Sequence, residues 1–145
     1  MAFTGTYEHT LDAKNRLTMP SKFRAELGKG VYLSRAIENV ISVYPAETYT
    51  AMADQALAHF TNPLSAQARE TRRLIYGTAF ETELDSANRV MLTQRFLDHA
   101  QIGREVVITG VGDCLEIWDR SAWGAYDNDL TQRAPELTES LGHTS

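Results

Sequence analysis

A five-residue pattern that occurs twice constrains this chain more than any other feature. The first copy runs from Asp12 to Arg16, and the second runs from Asp85 to Arg89, 73 residues later. Apolar residues flank both copies. A short polar stretch between apolar residues is typical of two strands joined by a tight turn. The sequence therefore predicts two equivalent hairpin turns.

The match between the two regions extends well beyond the turns. It covers further aromatic and apolar positions on both sides: Tyr7-Glu8 with Phe80-Glu81, Phe23 with Phe96, and Ile41–Tyr44 with Leu115–Trp118. After a one-residue slip, Val106-Val107-Ile108 is aligned with Tyr32-Leu33-Ser34. A repeat of about 45 residues is stronger evidence than any single motif, and it indicates an internal duplication.

The duplication predicts an α+β fold in which the two copies pack on each other. Units of about 40–50 residues are marginal alone, so the copies are expected to form an intrachain pseudo-dimer around one β core. The expected divisions are a first repeat at 6–48, a helical connector at 49–78, a second repeat at 79–122, and a helix start with a flexible tail at 123–145.

The connector and the tail have distinct patterns. In the connector, four apolar residues are expected to face inward: Leu64, Ala68, Leu74 and Ile75. Three arginines are expected to face solvent: Arg69, Arg72 and Arg73. From Asp127 the chain becomes polar, which predicts a frayed or partner-dependent end. Trp118 and Trp123 occupy positions expected to be in the core.

Composition excludes several classes of function. The 145 residues are 43% hydrophobic and include one cysteine, Cys114, so neither disorder throughout nor a disulfide framework is expected. The sequence has no secretion signal, bilayer-spanning run, phosphate loop, nucleophile elbow or metal-ligand spacing. We therefore expect a cytoplasmic protein that is not an enzyme, with no catalytic residues, cofactor, metal, membrane partner or small-molecule substrate.

The distribution of charge along the chain is compatible with a nucleic-acid partner. The net charge is −5, yet residues 1–52 carry six basic and five acidic side chains. Four of those basic residues lie between Lys14 and Arg24. Electrostatic fields act over about 8–10 Å at moderate salt, so a local basic surface on an acidic protein can still bind phosphate.

The repeated turn has a structural and a functional interpretation. In the structural one, Asp12 and Asp85 accept hydrogen bonds from turn amides, and Asn15 and Asn88 adopt positive φ. Each arginine then merely pairs with its own aspartate. In the functional one, an arginine held by an aspartate is positioned for phosphate or guanine. The predicted DNA contacts are Lys14 and Arg16, with Arg89 in support. For Lys22 and Arg24, exposure to solvent and contact with DNA are equally expected.

Four segments of the chain carry a resemblance to a known family. They are residues 11–20, the second copy from Leu84 to Val90, and the strand ends Val43-Tyr44-Pro45 and Ile117-Trp118-Asp119. Together they resemble the MraZ family of bacterial transcriptional regulators. The resemblance covers about residues 1–126. It implies swapped-hairpin, AbrB-like repeats and DNA contact through Lys14, Arg16 and Arg89. Many members have glycine before the arginine, whereas this chain has asparagine in both copies.

The resemblance also implies function and assembly. It implies a regulator that binds G-rich direct repeats in double-stranded promoter DNA and represses its own division and cell-wall gene operon. It implies a ring-shaped homo-oligomer associated with the nucleoid. Two other readings remain open: a protein-interaction module resembling an antitoxin, and a structural oligomer with both turns buried between subunits.

Overall fold

A computed structural model describes residues 2–35 and 37–144. In these residues the chain forms eight strands and five α-helices. The strands are β1 (Thr6–Thr10), β2 (Arg16–Thr18), β3 (Val31–Arg35), β4 (Ile41–Pro45), β5 (Phe80–Thr82), β6 (Arg89–Met91), β7 (Glu105–Gly110) and β8 (Leu115–Asp119). The helices are α1 (Arg24–Leu27), α2 (Ala46–Leu57), α3 (Ala66–Gly77), α4 (Gln94–His99) and α5 (Arg120–Thr144), and a 3₁₀ turn (Ser21–Phe23) precedes α1.

Strands from both halves of the chain build one antiparallel sheet in the order β1-β7-β8-β4-β3-β5. The first strand of each half pairs with a strand of the other half. In β1–β7, Tyr7 lies opposite Ile108, and in β3–β5, Leu33 lies opposite Phe80. A separate two-stranded ribbon pairs β2 with β6. The expectation of an α+β fold with two tandem halves is confirmed.

The strand registers define a pseudo-two-fold axis between the halves. Where β4 meets β8, Ser42 lies opposite Glu116, its equivalent in the second half. Where β2 meets β6, Leu17 lies opposite Val90, again its own equivalent. Antiparallel pairing of equivalent residues is what a two-fold relation requires. The two repeated turns therefore lie on either side of one axis.

The main core lies between one face of the sheet and a layer made by the ribbon, α1 and α4. Alternate strand residues such as Val31 and Leu33 point into it, as the period of two in a strand requires. The ribbon contributes Leu17 and Val90, both fully buried. Phe23 packs there against Phe3, with 4.9 Å between ring centroids. Burial of this apolar surface fixes the ribbon on the sheet.

The other face of the sheet carries α2 and α5, which are equivalent in the two halves. Tyr49 of α2 stacks on Tyr32 at 5.0 Å. In the second half, Trp123 and Tyr126 of α5 lie 5.3 Å and 4.8 Å from Trp118. Trp118 is buried, and Trp123 is half-buried against it, as expected of core aromatics. Helix α3 packs on α2.

The repeat alignment needs one correction. The register places Ile108 opposite Tyr7 and Leu33 opposite Phe80, so Ile108 is the equivalent of Leu33 rather than of Ser34. Val106, Val107 and Ile108 are all apolar and all buried, so alternation in the sequence cannot set their register. Pairing with the other half sets it.

One further expectation differs from the structure. Leu64 and Leu74 are exposed, at 72% and 60%, rather than inward. Leu64 precedes α3, whose N-cap is Ser65, so it does not lie on the helix face that packs. That the end of the chain is frayed or partner-dependent stays a prediction, and in the structure this end lies in α5, which continues to Thr144 through Pro135. Its first turns are held by Trp123 and Tyr126, which gives the helix a packed start to propagate from.

Candidate nucleic-acid interface

Asp12 builds the first turn with both of its carboxylate oxygens. Its Oδ1 accepts hydrogen bonds from the backbone amides of Lys14 (2.9 Å) and Arg16 (2.8 Å), and its Oδ2 accepts one from Arg16 Nε (2.7 Å). The Arg16 amide is the main reason that the pKa of Asp12 lies below its ordinary value; the Arg16 side chain and the Lys14 amide add to it. The turn therefore needs the carboxylate in its charged form.

The second turn repeats this construction. Asp85 Oδ1 accepts from the amides of Ala87 and Arg89, and Asp85 Oδ2 accepts from Arg89 Nε, each at 2.9 Å. The Arg89 amide is again the main cause of a lowered pKa, here that of Asp85. The two copies differ at two positions: the second turn has Ser86 where the first has Ala13, and Ala87 where the first has Lys14.

Asparagine before each arginine supplies the turn's backbone conformation. Asn15 has φ 59° and Asn88 has φ 64°, in the left-handed region that asparagine tolerates better than most residues. Each asparagine carbonyl also accepts a bond of 2.9 Å from the other half, from Leu92 and Met19 respectively. In addition, the buried Asn88 side chain donates to the Met19 carbonyl at 2.9 Å. Each turn is thus hydrogen-bonded to the opposite half of the chain.

The two motif arginines lie side by side across the pseudo-two-fold axis. Asp12 Oδ2 lies 2.7 Å from Arg16 Nε and 3.9 Å from Arg89 Nη1. The two arginine side chains remain 27% and 30% exposed. Among the described residues, no hydrogen bond engages the terminal nitrogens of Arg16. These nitrogens can donate to an external acceptor, and bidentate donation to phosphate or guanine is the chemistry they fit best.

Other predicted basic residues lie at different places around this pair. Lys14 is exposed at the first tip. Arg24 reaches the second turn, where its Nη2 donates to the Ser86 carbonyl at 3.1 Å. Lys22 instead places its ammonium 5.5 Å from the Tyr7 ring centroid and 5.0 Å from that of Phe23. The structure thus joins Arg24 to the turns and directs Lys22 toward aromatic rings.

Sequence reasoning missed Arg104. Its Nη2 donates to the Leu11 carbonyl at 3.1 Å, directly before Asp12, and its own carbonyl accepts from the Leu11 amide at 2.8 Å. Arg104 is exposed and adds a cation beside the first turn. No motif marks it in the sequence, because it reaches the turn only through the pairing of β1 with β7.

Within the described residues, no group of three or more histidine, cysteine, aspartate or glutamate side chains is arranged to hold a metal ion. No helix in that part of the chain has both the length and the apolar character needed to cross a bilayer. The basic turns remain the feature with the clearest binding chemistry.

Comparison with known proteins places the chain in a family. A family model described as "MraZ protein, putative antitoxin-like" matches residues 2–71 and 75–140, which correspond to the two halves of the fold. Proteins named transcriptional regulator MraZ match over nearly their whole length. The one from Finegoldia magna is 33% identical over 142 residues, covering 96% of each chain.

Two further relatives have the same name. The Lactobacillus gasseri protein is 36% identical over 140 residues and covers 96% of each chain. The Nocardioides sp. protein is 36% identical over 146 residues, which covers 100% of this chain and 99% of the relative. All three are named as regulators rather than as enzymes. Matches of this identity and length, over both halves, show that the chain belongs to the MraZ family.

Proposed function

We propose that the chain is a sequence-specific DNA-binding transcriptional regulator that reads promoter DNA with the paired turns. One observation carries the proposal: Arg16 and Arg89 lie side by side, each held through Nε by an aspartate of its own turn. Such a guanidinium is already oriented, so less side-chain entropy is lost on binding. The names of the relatives support the same function.

The proposed contacts fall into two groups. Arg16 and Arg89 are the central contacts, and Lys14 is the exposed cation at the first tip. Arg24 supports the second turn. Lys22 remains a proposed contact, although its ammonium lies over aromatic rings, and it would have to leave them to reach phosphate. Asp12, Asn15, Asp85 and Asn88 shape the turns rather than touch DNA.

The finer architecture is also part of the proposal. We infer that each half is an AbrB-like swapped-hairpin repeat. The exchange of β1 and β5 between the halves supports this inference, because each pairs with the opposite half. The proposed divisions are the repeats at 6–48 and 79–122, the connector at 49–78, and a helix start with a flexible tail at 123–145.

The proposed biological setting follows from family membership. The chain is proposed to act in the cytoplasm on the nucleoid, to repress its own division and cell-wall operon, and to bind G-rich direct repeats. A ring-shaped homo-oligomer would present several turn pairs to successive repeats. Linked sites raise the effective concentration of each further contact, which offsets the weak field of an acidic protein.

The deciding experiment measures DNA binding as a function of salt. Fluorescence anisotropy would compare a duplex from upstream of the chain's own gene with a scrambled duplex of equal composition. The parent is expected to prefer the upstream duplex, with an affinity that falls steeply as salt rises. Arg16→Ala is expected to weaken binding by about 5–100-fold and to reduce the salt slope.

Arg69→Ala is the matched control, because Arg69 is an exposed arginine on α3, outside both turns. It is expected to bind DNA like the parent. Light scattering on each variant separates a lost contact from a lost assembly. If the parent bound neither duplex in a salt-dependent way, the DNA-binding proposal would be wrong, and the antitoxin-like interaction module would be favoured. Equal affinity for both duplexes would contradict sequence specificity.

A further inference from the structure

The β2–β6 ribbon has an outer face that points away from the core. Residues opposite each other in an antiparallel pair lie on the same side of the ribbon. The central pair, Leu17 and Val90, is fully buried and faces the core. Successive residues of a strand point to opposite sides, so the neighbouring pairs face outward. These outward pairs are Arg16 with Met91, and Thr18 with Arg89.

Met91 is the apolar member of this outer face. It is 53% exposed, and within the described residues it belongs to no core cluster. Single exposed apolar residues are common on protein surfaces, so its place matters more than its exposure. Met91 lies directly opposite Arg16, one of the two arginines proposed to contact DNA. An apolar side chain therefore lies beside a guanidinium group on the surface proposed to meet the duplex.

The two ends of the outer face are not alike. Thr18 and Met91 occupy equivalent positions of the two repeats, 73 residues apart. Each lies opposite the arginine of the other repeat. The pseudo-two-fold scaffold therefore repeats the arginine but pairs it with a threonine at one end and with a methionine at the other. Bases next to the two arginines would meet different side chains.

The ribbon has the size of an element that enters a DNA groove. The major groove of B-DNA is about 12 Å wide and admits a two-stranded β-ribbon. Strands in a sheet lie about 4.8 Å apart, and residues two positions apart along a strand are separated by about 7 Å. Successive base pairs are about 3.4 Å apart. Opposite residues such as Arg16 and Met91 are therefore spaced to contact adjacent base pairs.

Base edges in the major groove offer a partner for the outward residues. Arginine binds guanine through O6 and N7, and apolar side chains contact the C5-methyl group of thymine. Methionine suits a methyl group on an uneven surface, because its side chain is flexible and polarisable. It has no charge and is only a weak hydrogen-bond acceptor, so phosphate is a poor partner for it. A thymine methyl group is the part of the duplex that its chemistry fits best.

We propose that Met91 is a specificity-determining residue that contacts the C5-methyl group of a thymine, on a base pair next to the guanine bound by Arg16. Thr18 has a shorter and partly polar side chain, so the Arg89 end of the outer face reads its neighbouring base differently. The inference rests on the proposed function and deepens it, since it names a base that the ribbon selects besides guanine. Met91 adds selectivity without adding to the attraction for phosphate.

Removal of single methyl groups from the DNA tests the proposal. In the duplex from upstream of the chain's own gene, thymines are replaced one at a time by deoxyuridine, which lacks only the C5-methyl group. Anisotropy titrations are expected to show that one such replacement weakens binding of the parent by about 4-fold, the value of one buried methyl group. Met91→Ala is expected to bind the unmodified duplex at least about 4-fold more weakly and to be insensitive to that replacement.

Leu64→Ala is the matched control, because Leu64 is an exposed apolar residue outside the ribbon. It should keep both the parent's affinity and the parent's response to deoxyuridine. The dependence on salt gives a second readout. Met91→Ala should keep the parent's salt slope, unlike Arg16→Ala, since Met91 neutralises no phosphate. A lowered slope for Met91→Ala would contradict an apolar contact with a base.

Two results would overturn the inference and leave the proposed function intact. In one, the parent prefers the upstream duplex but tolerates every deoxyuridine replacement. In the other, Met91→Ala and the parent lose the same affinity on the same replacement, which would mean that another residue reads the methyl group. A parent that bound no duplex in a salt-dependent way would overturn the proposed function and this inference together.

Discussion

Arg89 of the second turn lies 3.9 Å from the carboxylate of Asp12 in the first, measured from Nη1 to Oδ2. That carboxylate is also bonded to Arg16 at 2.7 Å. One acidic group therefore faces two guanidinium groups that are 73 positions apart in the sequence. The relation turns two local motifs into one composite surface, and several expectations depend on it.

The arginine pair is expected to act as a unit in DNA binding. Arg16→Ala and Arg89→Ala should each weaken promoter binding by about 5–100-fold, the range for a good bidentate contact. Because the two share Asp12, the double variant should lose less than the sum of the two free energies. Anisotropy titrations of the four proteins give the coupling. Strict additivity would show that the guanidinium groups act independently.

Acid is expected to destabilise the protein by protonating the two turn aspartates, Asp12 and Asp85. The pKa values of Asp12 and Asp85 lie below their ordinary value of 3.8, chiefly because of the Arg16 and Arg89 amides. A lowered folded-state pKa stabilises the protein above 3.8, and this stabilisation is lost as the pH falls through the folded-state value.

Urea midpoints measured from neutral pH downward would check this expectation. Asp12→Asn/Asp85→Asn should be less stable at neutral pH and should show a flatter dependence on acid, since it has lost both titrating groups. Parallel curves for variant and parent would mean that these carboxylates do not control acid unfolding.

Asn15 and Asn88 are expected to contribute unequally to the free energy of unfolding. Asn15→Ala should cost about 1–2 kcal/mol, because alanine disfavours the left-handed backbone. Asn88→Ala should cost about 2–4 kcal/mol, because it also leaves the buried Met19 carbonyl without its side-chain donor. Urea denaturation gives both values. Asn15→Gly should be close to neutral, since glycine tolerates this φ, and a large loss there would contradict the backbone argument.

Truncation of the Leu17 side chain is expected to destabilise the core strongly. It is fully buried and lies opposite Val90, where the ribbon crosses the pseudo-two-fold axis. Leu17→Ala should lower the free energy of unfolding by about 2–5 kcal/mol through lost burial and a residual cavity. Met91→Ala on the same ribbon is the control, because Met91 is exposed, and it should change stability by about 0.5 kcal/mol or less.

Cys114 is expected to resist alkylation in the folded protein. Burial raises the pKa of its thiol from 9.0 to about 11, so the thiolate fraction at pH 8 falls about 100-fold. Iodoacetamide should therefore modify the native chain at least about 100-fold more slowly than the urea-unfolded chain. Mass spectrometry over time measures both rates, and similar rates would show that the β7–β8 connection opens readily.

Local structure could be predicted from the sequence where a short segment determines its own conformation. The Asp and Asn of each turn act within five residues, so the positive φ of Asn15 and Asn88 could be anticipated from residue type and spacing. The duplication predicted two halves around one core, which the strand order bears out. The register of Val106–Ile108 was missed, since three apolar residues in a row carry no alternation.

The sequence by itself determined the repeated turn, the apolar repeat around it and membership of the MraZ family. Each turn is set by five neighbouring residues, and the repeat and the family match depend only on the order of residues along the chain. Only the tertiary structure placed Arg89 beside Asp12, brought Arg104 to Leu11 and aligned Asn88 with Met19. Those contacts join residues about 70 to 90 positions apart. They follow from which strands exchange between the halves, and that choice depends on burial of the whole core rather than on any local pattern.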